Sequence, residues 1–303
     1  MYLTPPSRSL LTLVAALGLA SCGSDEVVVV EETATAPTPT PTPTEPAFVL
    51  LEDRIYGEGA TQTGSVELLL DIYQPEATCT APRPTVFYVH GGAFAIGDKQ
   101  DQIVEALAPL IVEEGLNFVS INYRLSGDMP VFSEEYAQFG QDLIDDGIVS
   151  DPDGDLYPAI VSAIEDGVTA LRWMEDNAEE FCFDMSRMGY WGSSAGTIIT
   201  AQIAYSLNPY EIARPEPLFV NAWWGELFRP EDLEAGEAPF LILHGDEDPV
   251  VDYQVSLDLA AQADSVEVPY AFYTLVGAEH GFDINNTNQT QAGFDVSVDF
   301  AVA

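Results

Sequence analysis

The segment Gly192–Gly196 is the first of three short stretches whose residue types could carry chemistry. It has the pattern G-x-S-x-G and lies between an apolar stretch predicted as a strand, Met188–Trp191, and one predicted as a helix, Ala195–Leu207. In that context the pattern is typical of a sharp strand-to-helix turn that exposes the central serine, Ser194. The N-terminus of the following helix favours developing negative charge, so Ser194 is a candidate nucleophile.

The second stretch, His90–Phe94, follows the apolar run Pro84–His90, which we predict to be a buried strand. Its two consecutive glycines, Gly91 and Gly92, could turn their N–H groups toward the carbonyl oxygen of a substrate and stabilise the oxyanion that forms there. A plain Gly-Gly turn without that role is the alternative. Beside a nucleophile, the pair predicts an oxyanion hole.

The third part of the pattern is a histidine with an acidic loop before it. His244–Val250 and the residues around His280 each follow a predicted strand. His280 is the one histidine of the chain that comes after the acidic loop. The order Ser194, Asp248, His280 therefore matches a nucleophile, an acid and a base in the chain order known for hydrolytic triads on α/β sheets. Asp246 in the same loop is the alternative acid.

These stretches need a scaffold that brings them together, and the chain from residue 47 onward alternates between strand and helix signals. Strands are predicted at Phe48–Leu51, Val66–Tyr73, Pro84–His90, Asn117–Tyr123, Met188–Trp191, Leu218–Trp223, Phe240–His244 and Tyr270–Leu275. Helices are predicted at Ala106–Glu114, Pro158–Ala178, Ala195–Leu207, Tyr253–Ala263 and Gln291–Val302. A Gly-rich turn, Gly57–Gly64, is expected between the first two strands. The alternation implies a mostly parallel sheet with helices on both faces.

Several of these segments occur in the order seen in a known family. They are Leu70–Pro75, His90–Lys99, Tyr123–Leu125, Gly192–Gly196, His244–Val251 and Gly277–Phe282. Through them, residues from about 65 to 300 resemble the α/β-hydrolase fold, close to the bacterial carboxylesterases that include acetyl- and feruloyl-esterase-like enzymes. The resemblance implies a mostly parallel central sheet with helices on both faces, on which this chain is expected to carry only a minimal cap. It also implies hydrolysis of a carboxylic ester, on a small molecule or a polymer, without a metal or a cofactor.

The resemblance assigns roles to individual residues. It implies Ser194 as the nucleophile, His280 as the general base and Asp248 as the acid that orients the base. It implies that the backbone N–H groups of Gly91, Gly92 and Ala195 form the oxyanion hole.

Two other functions share parts of this pattern. A serine peptidase of the prolyl-oligopeptidase type has the same triad order, but it is expected to carry a large additional N-terminal domain, which residues 23–64 cannot supply. A catalytically inactive hydrolase fold that serves as a surface binding module is the other alternative. Such proteins usually lose a triad member, and the sequence retains all three.

Two differences in length from the relatives bear on the substrate. The short stretch 226–239 leaves no room for the helical cap that many relatives carry there, so the site should be open on that side and favour short acyl chains. The acidic insertion 126–157 follows the carboxyl end of a strand, the functional edge of such sheets, and is expected to flank or partly cover the site. Aromatic residues next to motif ends are candidates for the pocket wall, with core packing as the alternative. They are Phe94, Trp223, Trp224 and Phe282.

Asp151, Asp153 and Asp155 in the insertion are spaced as calcium ligands could be. An EF-hand loop would need a glycine directly after Asp155 and a glutamate at its last position, where Ser162 stands. Because both are missing, a solvated acidic loop is the favoured interpretation and calcium the weaker alternative. In either case, acids near the mouth of the site would disfavour anionic substrates.

Cys79 and Cys182 stand at equal distances along the chain before Gly91 and Ser194. In the fold that the sequence resembles, the strands leading to these two motifs are parallel neighbours whose tips converge. Equal offsets then imply that the two cysteines meet at the opposite edge of the sheet and form a disulfide, which fits an oxidising compartment. Two buried free thiols are the alternative.

Leu10–Ala20 is an apolar run too short to span a bilayer and typical of a signal peptide. It leads into Leu19–Cys22, which resembles a bacterial lipobox, so Cys22 is the predicted lipidation site and the outer membrane the favoured location. An ordinary secretory signal is the alternative. The predicted division is a lipoprotein signal peptide at 1–21, a Pro/Thr-rich tether at 22–46 and a hydrolase domain at 47–303.

The overall charge excludes some functions. The 303 residues include 50 Asp and Glu against 9 Lys and Arg, for a formal net charge of −41. Such a chain cannot neutralise phosphates, so nucleic acid is not a predicted partner. It cannot dock electrostatically on anionic lipid either, so membrane association would depend on the lipid anchor alone. The acids are spread along the chain, which fits an exported acidic protein or an adaptation to salty water.

Overall fold

The computed structural model describes residues 48–282 and 286–303. The predicted signal peptide, the predicted tether and Cys22 lie outside these residues. No helix within the two described ranges is long and apolar enough to cross a membrane.

An eight-stranded sheet forms the centre of the fold. Its strands are β1 (Phe48–Thr61), β2 (Gly64–Pro75), β3 (Arg83–Val89), β4 (Asn117–Ile121), β5 (Phe183–Ser193), β6 (Phe219–Trp223), β7 (Phe240–Gly245) and β8 (Tyr270–Leu275). They lie in the order β1-β2-β4-β3-β5-β6-β7-β8. β2 is antiparallel to both of its neighbours, and every pairing from β4 across to β8 is parallel. The carboxyl ends of these parallel strands therefore meet at one edge of the sheet.

Helices cover both faces of this sheet. They are α1 (Gln102–Glu113), α2 (Ala137–Asp145), α3 (Leu156–Asp176), α4 (Ala178–Phe181), α5 (Ala195–Ala201), α6 (Tyr253–Val266) and α7 (Thr287–Val302). Apolar residues of α1 and α7 share one core cluster with Val86 and Tyr88 of β3, whereas α3, α5 and α6 share another with Phe87 and Val89. Since alternate residues of a strand point to opposite faces, the two clusters lie on opposite sides of the sheet. The predicted fold class is confirmed.

The predicted turn between the first two strands is confirmed, but it takes up only Gln62 and Thr63 and not the whole predicted range Gly57–Gly64. β1 continues through Gly57 and Gly59 and pairs with β2 as far as Thr61. The glycines are explained by packing, because a Cβ added at Gly57 would lie 2.9 Å from Thr169 Cγ2 and one at Gly59 would lie 2.5 Å from Arg124 Cδ. Missing side chains in this strand therefore make room for α3 and for an arginine, and do not mark a chain reversal.

The predicted disulfide is confirmed. Cys79 and Cys182 are bonded, with their Cα atoms 6.0 Å apart and a sequence separation of 103. The parallel pairing of β3 with β5 places Val89 opposite Gly192. These two residues are as far apart along the chain as the two cysteines are. The bond therefore joins the segments that lead into these two strands, at the end of the sheet away from Ser194.

Arg124 is the main polar connection between the sheet, α3 and the acidic insertion. Its side chain is 2% exposed, and its guanidinium donates to both carboxylate oxygens of Asp166, at 2.7 and 3.0 Å. It also donates to Glu165 at 2.8 Å and to the carbonyl oxygens of Ala60 and Val131 at 2.9 and 2.8 Å. A single buried cation thus holds β1, the insertion and α3 together.

We expect Arg124→Met to lower the free energy of unfolding by about 3–5 kcal/mol, because it removes the cation paired with the buried Asp166 carboxylate and leaves that carboxylate only the backbone N–H of residue 124. The matched control is Arg172→Met, which removes a half-exposed ion pair with Glu135 and should cost less than about 1 kcal/mol. Urea unfolding of both variants measures the difference. Equal losses in the two variants would contradict the assignment of Arg124 as a buried connector.

Candidate active site

Ser194 occupies the strained turn between β5 and α5. Its backbone has φ 54° and ψ −121°, a conformation that costs a non-glycine residue about 1–3 kcal/mol. Neighbouring contacts hold the turn, since Ser194 N–H donates to the carbonyl oxygen of Trp223 at 2.9 Å and Thr197 Oγ1 donates to the same oxygen at 2.8 Å. A Cβ added at Gly196 would overlap the carbonyl oxygen of Val89. The glycine therefore lets the turn pack directly against β3.

Ser194, His280 and Asp248 form a continuous line of hydrogen bonds. Ser194 Oγ lies 2.8 Å from His280 Nε2, and His280 Nδ1 lies 2.7 Å from Asp248 Oδ2. Because a carboxylate only accepts, Nδ1 carries the proton and Nε2 presents its lone pair to the serine hydroxyl. The His280 side chain is 21% exposed, whereas that of Asp248 is buried. The distances are those that nucleophilic catalysis requires, so the three side chains are candidates for nucleophile, base and orienting acid.

The Asp248 carboxylate is held on both of its oxygens. Oδ1 accepts from the N–H groups of Val250 and Val251 at 2.7 and 3.0 Å, while Oδ2 accepts from His280. Burial acts to raise the pKa of Asp248, but the hydrogen bonds from His280 and from the two backbone amides outweigh it, and the pKa lies below its usual value. The carboxylate is therefore ionised at neutral pH.

Asp246, the alternative acid, has a different partner. Its Oδ1 accepts from the backbone N–H of Gly277 at 2.6 Å. Asp246 thus ties the loop after β7 to the turn that precedes His280. The structure brings Asp248, and not Asp246, to the histidine.

Two of the three predicted oxyanion donors adjoin Ser194: Ala195 follows it directly in the chain, and Gly91 packs on its side chain. Gly91 packs against the serine, because an added Cβ would be 3.2 Å from Ser194 Cβ. Gly92 has φ 120°, and the next two residues also have positive φ. Among residues 48–282 and 286–303, no hydrogen bond uses the N–H of Gly91, Gly92 or Ala195. These donors are available to a ligand, as an oxyanion hole requires.

His90 and Tyr123 support this glycine loop. The two rings stack with their centroids 4.5 Å apart, and Tyr123 Oη donates to the carbonyl oxygen of His90 at 3.1 Å. His90 Nδ1 donates to the carbonyl oxygen of Gly91 at 2.6 Å. Burial lowers the pKa of His90, so the ring stays neutral and acts as a brace.

The four aromatic candidates for the pocket wall have different positions. Trp223 is completely buried, and its indole N–H donates to Ser297 Oγ at 2.9 Å. It has no surface to present to a ligand, so the pocket prediction is wrong for this residue. Its side chain lies in the core cluster that contains α1 and α7.

The other three aromatic candidates lie beside the reacting loops. Phe94 and Trp224 are each 4% exposed, and Phe282 packs against Trp224 with ring centroids 4.8 Å apart. A Cβ added at Gly281 would lie 3.9 Å from Trp224 Cε2, at ordinary van der Waals distance. Trp224 and Phe282 thus form the apolar base on which the His280 loop rests.

The acidic insertion contacts loops on both sides of the site. Ser126 N–H donates to the carbonyl oxygen of Phe94 at 2.7 Å. Asp146 pairs with Arg229, in the segment between β6 and β7, at 2.9 Å. That segment contains only the short 3-10 turn Pro230–Asp232. The insertion thus reaches from the glycine loop to the segment where a cap would stand.

The calcium candidates do not converge. Within the described part of the chain, no group of three or more Asp, Glu, His or Cys side chains is arranged to hold a metal ion. Asp151, Asp153 and Asp155 therefore do not form a ligand cluster. Asp155 lies directly before α3, and its side chain makes no capping hydrogen bond.

One polar residue of the site, His244, was not predicted from the sequence as a site residue. His244 appeared only as the end of a strand, but its ring lies beside Asp248 on the side opposite His280. The available signal was its spacing, four residues before the candidate acid and directly before a glycine.

Comparison with known proteins places esterases among the sequence relatives. The family model described as BD-FAE matches residues 70–135. Carboxylesterase NlhH of Mycobacterium tuberculosis is 28% identical over 202 residues, which are 65% of this chain and 52% of that protein. Gut esterase 1 of Caenorhabditis briggsae is 29% identical over 157 residues, 52% of this chain and 24% of that protein. The chain thus spans about half or less of the length of these relatives.

Solved structures match over most of the chain. A truncated carbohydrate esterase from gut microbiota superposes with a TM-score of 0.62 at 17% identity, covering 86% of this chain and 97% of that one. The native Est2 esterase of Thermogutta terrifontis gives 0.65 at 16% identity, covering 86% and 93%. Together with the strand order and the strand-to-helix turn at Ser194, these similarities show that the chain has the α/β-hydrolase fold.

Proposed function

We propose that this protein is a serine carboxylesterase that hydrolyses short-chain or aryl carboxylic esters through an acyl-enzyme intermediate. The proposal depends above all on the hydrogen-bonded line from Ser194 through His280 to Asp248, which lies beside unused backbone N–H groups. The names of the relatives, a carboxylesterase and several esterases, support the same chemistry.

In the first half of the reaction, His280 Nε2 takes the proton of Ser194 Oγ as that oxygen attacks the ester carbonyl carbon. The carbonyl π electrons move to oxygen, where N–H groups of the glycine loop and of Ala195 stabilise the negative charge. Asp248 remains ionised and stabilises the imidazolium. When the tetrahedral intermediate collapses, the C–O bond breaks, the alcohol leaves with the proton from His280, and an acyl-serine remains.

In the second half, the same groups act on water. His280 takes a proton from a water molecule, whose oxygen attacks the acyl-serine carbonyl. The second tetrahedral intermediate is stabilised by the same N–H groups, and its collapse returns the proton from His280 to Ser194 Oγ. The carboxylic acid leaves and the resting state is restored.

We expect Ser194→Ala to lower kcat/KM for an aryl acetate by about 10⁴-fold or more, and to abolish covalent labelling by a fluorophosphonate probe. Ser193→Ala is the matched control. Its hydroxyl is buried against Tyr88, 3.0 Å from the phenol oxygen, so this variant should keep both activity and labelling. The readouts are initial rates and intact mass after labelling. A folded wild-type protein that neither hydrolyses esters nor accepts the probe would falsify the proposal.

The open side of the site predicts a preference for short acyl chains. The segment between β6 and β7 contains only the 3-10 turn Pro230–Asp232 and no α-helix that could bury a long chain. Each CH₂ left in water forfeits about 0.8 kcal/mol of favourable burial. A related solved structure is described as propionate-bound, which agrees with a small acyl group. In a series of p-nitrophenyl esters, kcat/KM should peak at about two to six acyl carbons. A maximum at ten or more carbons would contradict the open-site interpretation.

We also propose that the protein is exported as a lipoprotein with Cys22 as its acylated residue, and that the outer membrane is its location. The support is the sequence Leu19–Cys22, together with a disulfide, which fits an oxidising compartment. Mass spectrometry of protein from the cell envelope should find a diacylglyceryl-modified Cys22, and Cys22→Ser should release the protein from membranes. An unmodified Cys22 in the mature protein would refute this proposal.

A further inference from the structure

His244 lies on the far side of Asp248 from the candidate base. It stands near the end of β7, and its side chain is completely buried. Its Nε2 is 3.2 Å from Asp248 Oδ2 and 3.1 Å from the carbonyl oxygen of Val251. Its Nδ1 is 2.6 Å from Ser256 Oγ in α6. Asp248 Oδ2 is therefore shared between His280 and His244.

The partners of His244 determine where its proton lies. Nε2 faces a carboxylate and a carbonyl oxygen, which can only accept, so Nε2 must carry a hydrogen. Burial lowers the pKa of His244, which keeps the ring neutral and leaves Nδ1 with a lone pair. The hydroxyl of Ser256 then donates to Nδ1. The ring is fully satisfied in one tautomer and one orientation.

We propose that His244, fixed by Ser256, is a positioning residue that orients Asp248 and reduces the basicity that this carboxylate confers on His280. The proposal rests on the proposed hydrolytic function of Ser194. The hydrogen bonds run from Ser256 to His244, from His244 to Asp248, and from His280 to the same Asp248 oxygen. On the other side of His280 the line ends at the nucleophile.

The surroundings of His244 leave few other groups that could act on it. The charged or titratable residues that influence its pKa are Asp248 and His280. Tyr253 packs edge-on with ring centroids 5.7 Å apart, and its hydroxyl is engaged with Thr274. Glu226 lines a small cavity that Ser256 also borders. A proton on His244 therefore has one ionised partner in direct contact, the candidate triad acid.

The direction of the effect follows from the charge on the carboxylate. Each N–H that donates to Oδ2 withdraws negative charge, so the His244 bond weakens the stabilisation of the His280 imidazolium. Without it, His280 should become protonated at higher pH. His244→Leu should then move the acid limb of the pH profile toward alkaline pH by about 0.5–1 pH unit, the size expected for loss of one such hydrogen bond.

The test measures the second-order rate of inactivation by a fluorophosphonate from pH 4 to 9. This rate reports the reactivity of Ser194 without requiring knowledge of the substrate. His244→Gln retains an N–H near the Nε2 position and should restore the wild-type midpoint, whereas Ser256→Ala should shift it in the same direction as His244→Leu but less. Tyr253→Phe changes a residue that packs against His244 but leaves the hydrogen bonds among Ser256, His244, Asp248 and His280 in place. Its midpoint should therefore equal that of the wild type.

The outcomes separate positioning from packing. A lower rate at every pH with an unchanged midpoint in His244→Leu would mean that the ring only fills space, and would overturn the proposal. If His244→Leu does not fold, Ser256→Ala is the deciding variant, because it removes only one hydroxyl. An unchanged midpoint in Ser256→Ala would then overturn the proposal. Failure of the wild type to react with the probe would instead refute the proposed hydrolytic function, so the two failures are distinguishable.

Discussion

The parallel pairing of β3 with β5 is the constraint on which the rest of the site depends. Its register places Val89 opposite Gly192, so the two strands end side by side and their loops emerge together. Gly91 then packs on Ser194, and the absence of a side chain at Gly196 lets the strained turn approach the end of β3. The same register brings Cys79 and Cys182 together at the other end, where their bond restrains the unfolded chain.

A second constraint is the crowding of donors on one buried carboxylate. Asp248 accepts from two backbone amides and two histidines, so its orientation is fixed from several directions at once. A carboxylate held in this way keeps its charge in an apolar setting, because the fixed dipoles replace water. The position of His280 is thereby determined by β7 and β8, strands that neither Gly91 nor Ser194 occupies. The glycine loop after β3, the turn at Ser194 and the loops after β7 and β8 are therefore each held in position by separate contacts.

The sequence predicted those features that depend on local pattern. Buried strands, the turn at Ser194 and the order of Ser194, Asp248 and His280 are visible because apolar runs and glycines mark strand ends. Features set by distant contacts were not visible. In the sequence Gly57 and Gly59 resemble a turn, because their contacts with α3 and Arg124 come from distant parts of the chain. His244 gains Asp248 as a partner only in the folded loop after β7. Trp223 stands next to a motif end, yet α7 covers it, through Ser297 and Phe294.

The negative net charge of the chain is unfavourable for an oxyanion at the site, so local groups must offset it. Lys99, the only lysine of the chain, contacts Asp53 and Asp71 with its side chain 6% exposed, and Arg124 is 2% exposed. Both cations are buried among carboxylates, whereas the chain as a whole has a formal net charge of −41. The field of that charge opposes the formation of an oxyanion. Long-range charge is weakened by salt, whereas N–H groups in contact with the oxygen are not. Stabilisation of the oxyanion in the proposed reaction must therefore come from short-range donors, for which we propose the N–H groups of Gly91, Gly92 and Ala195.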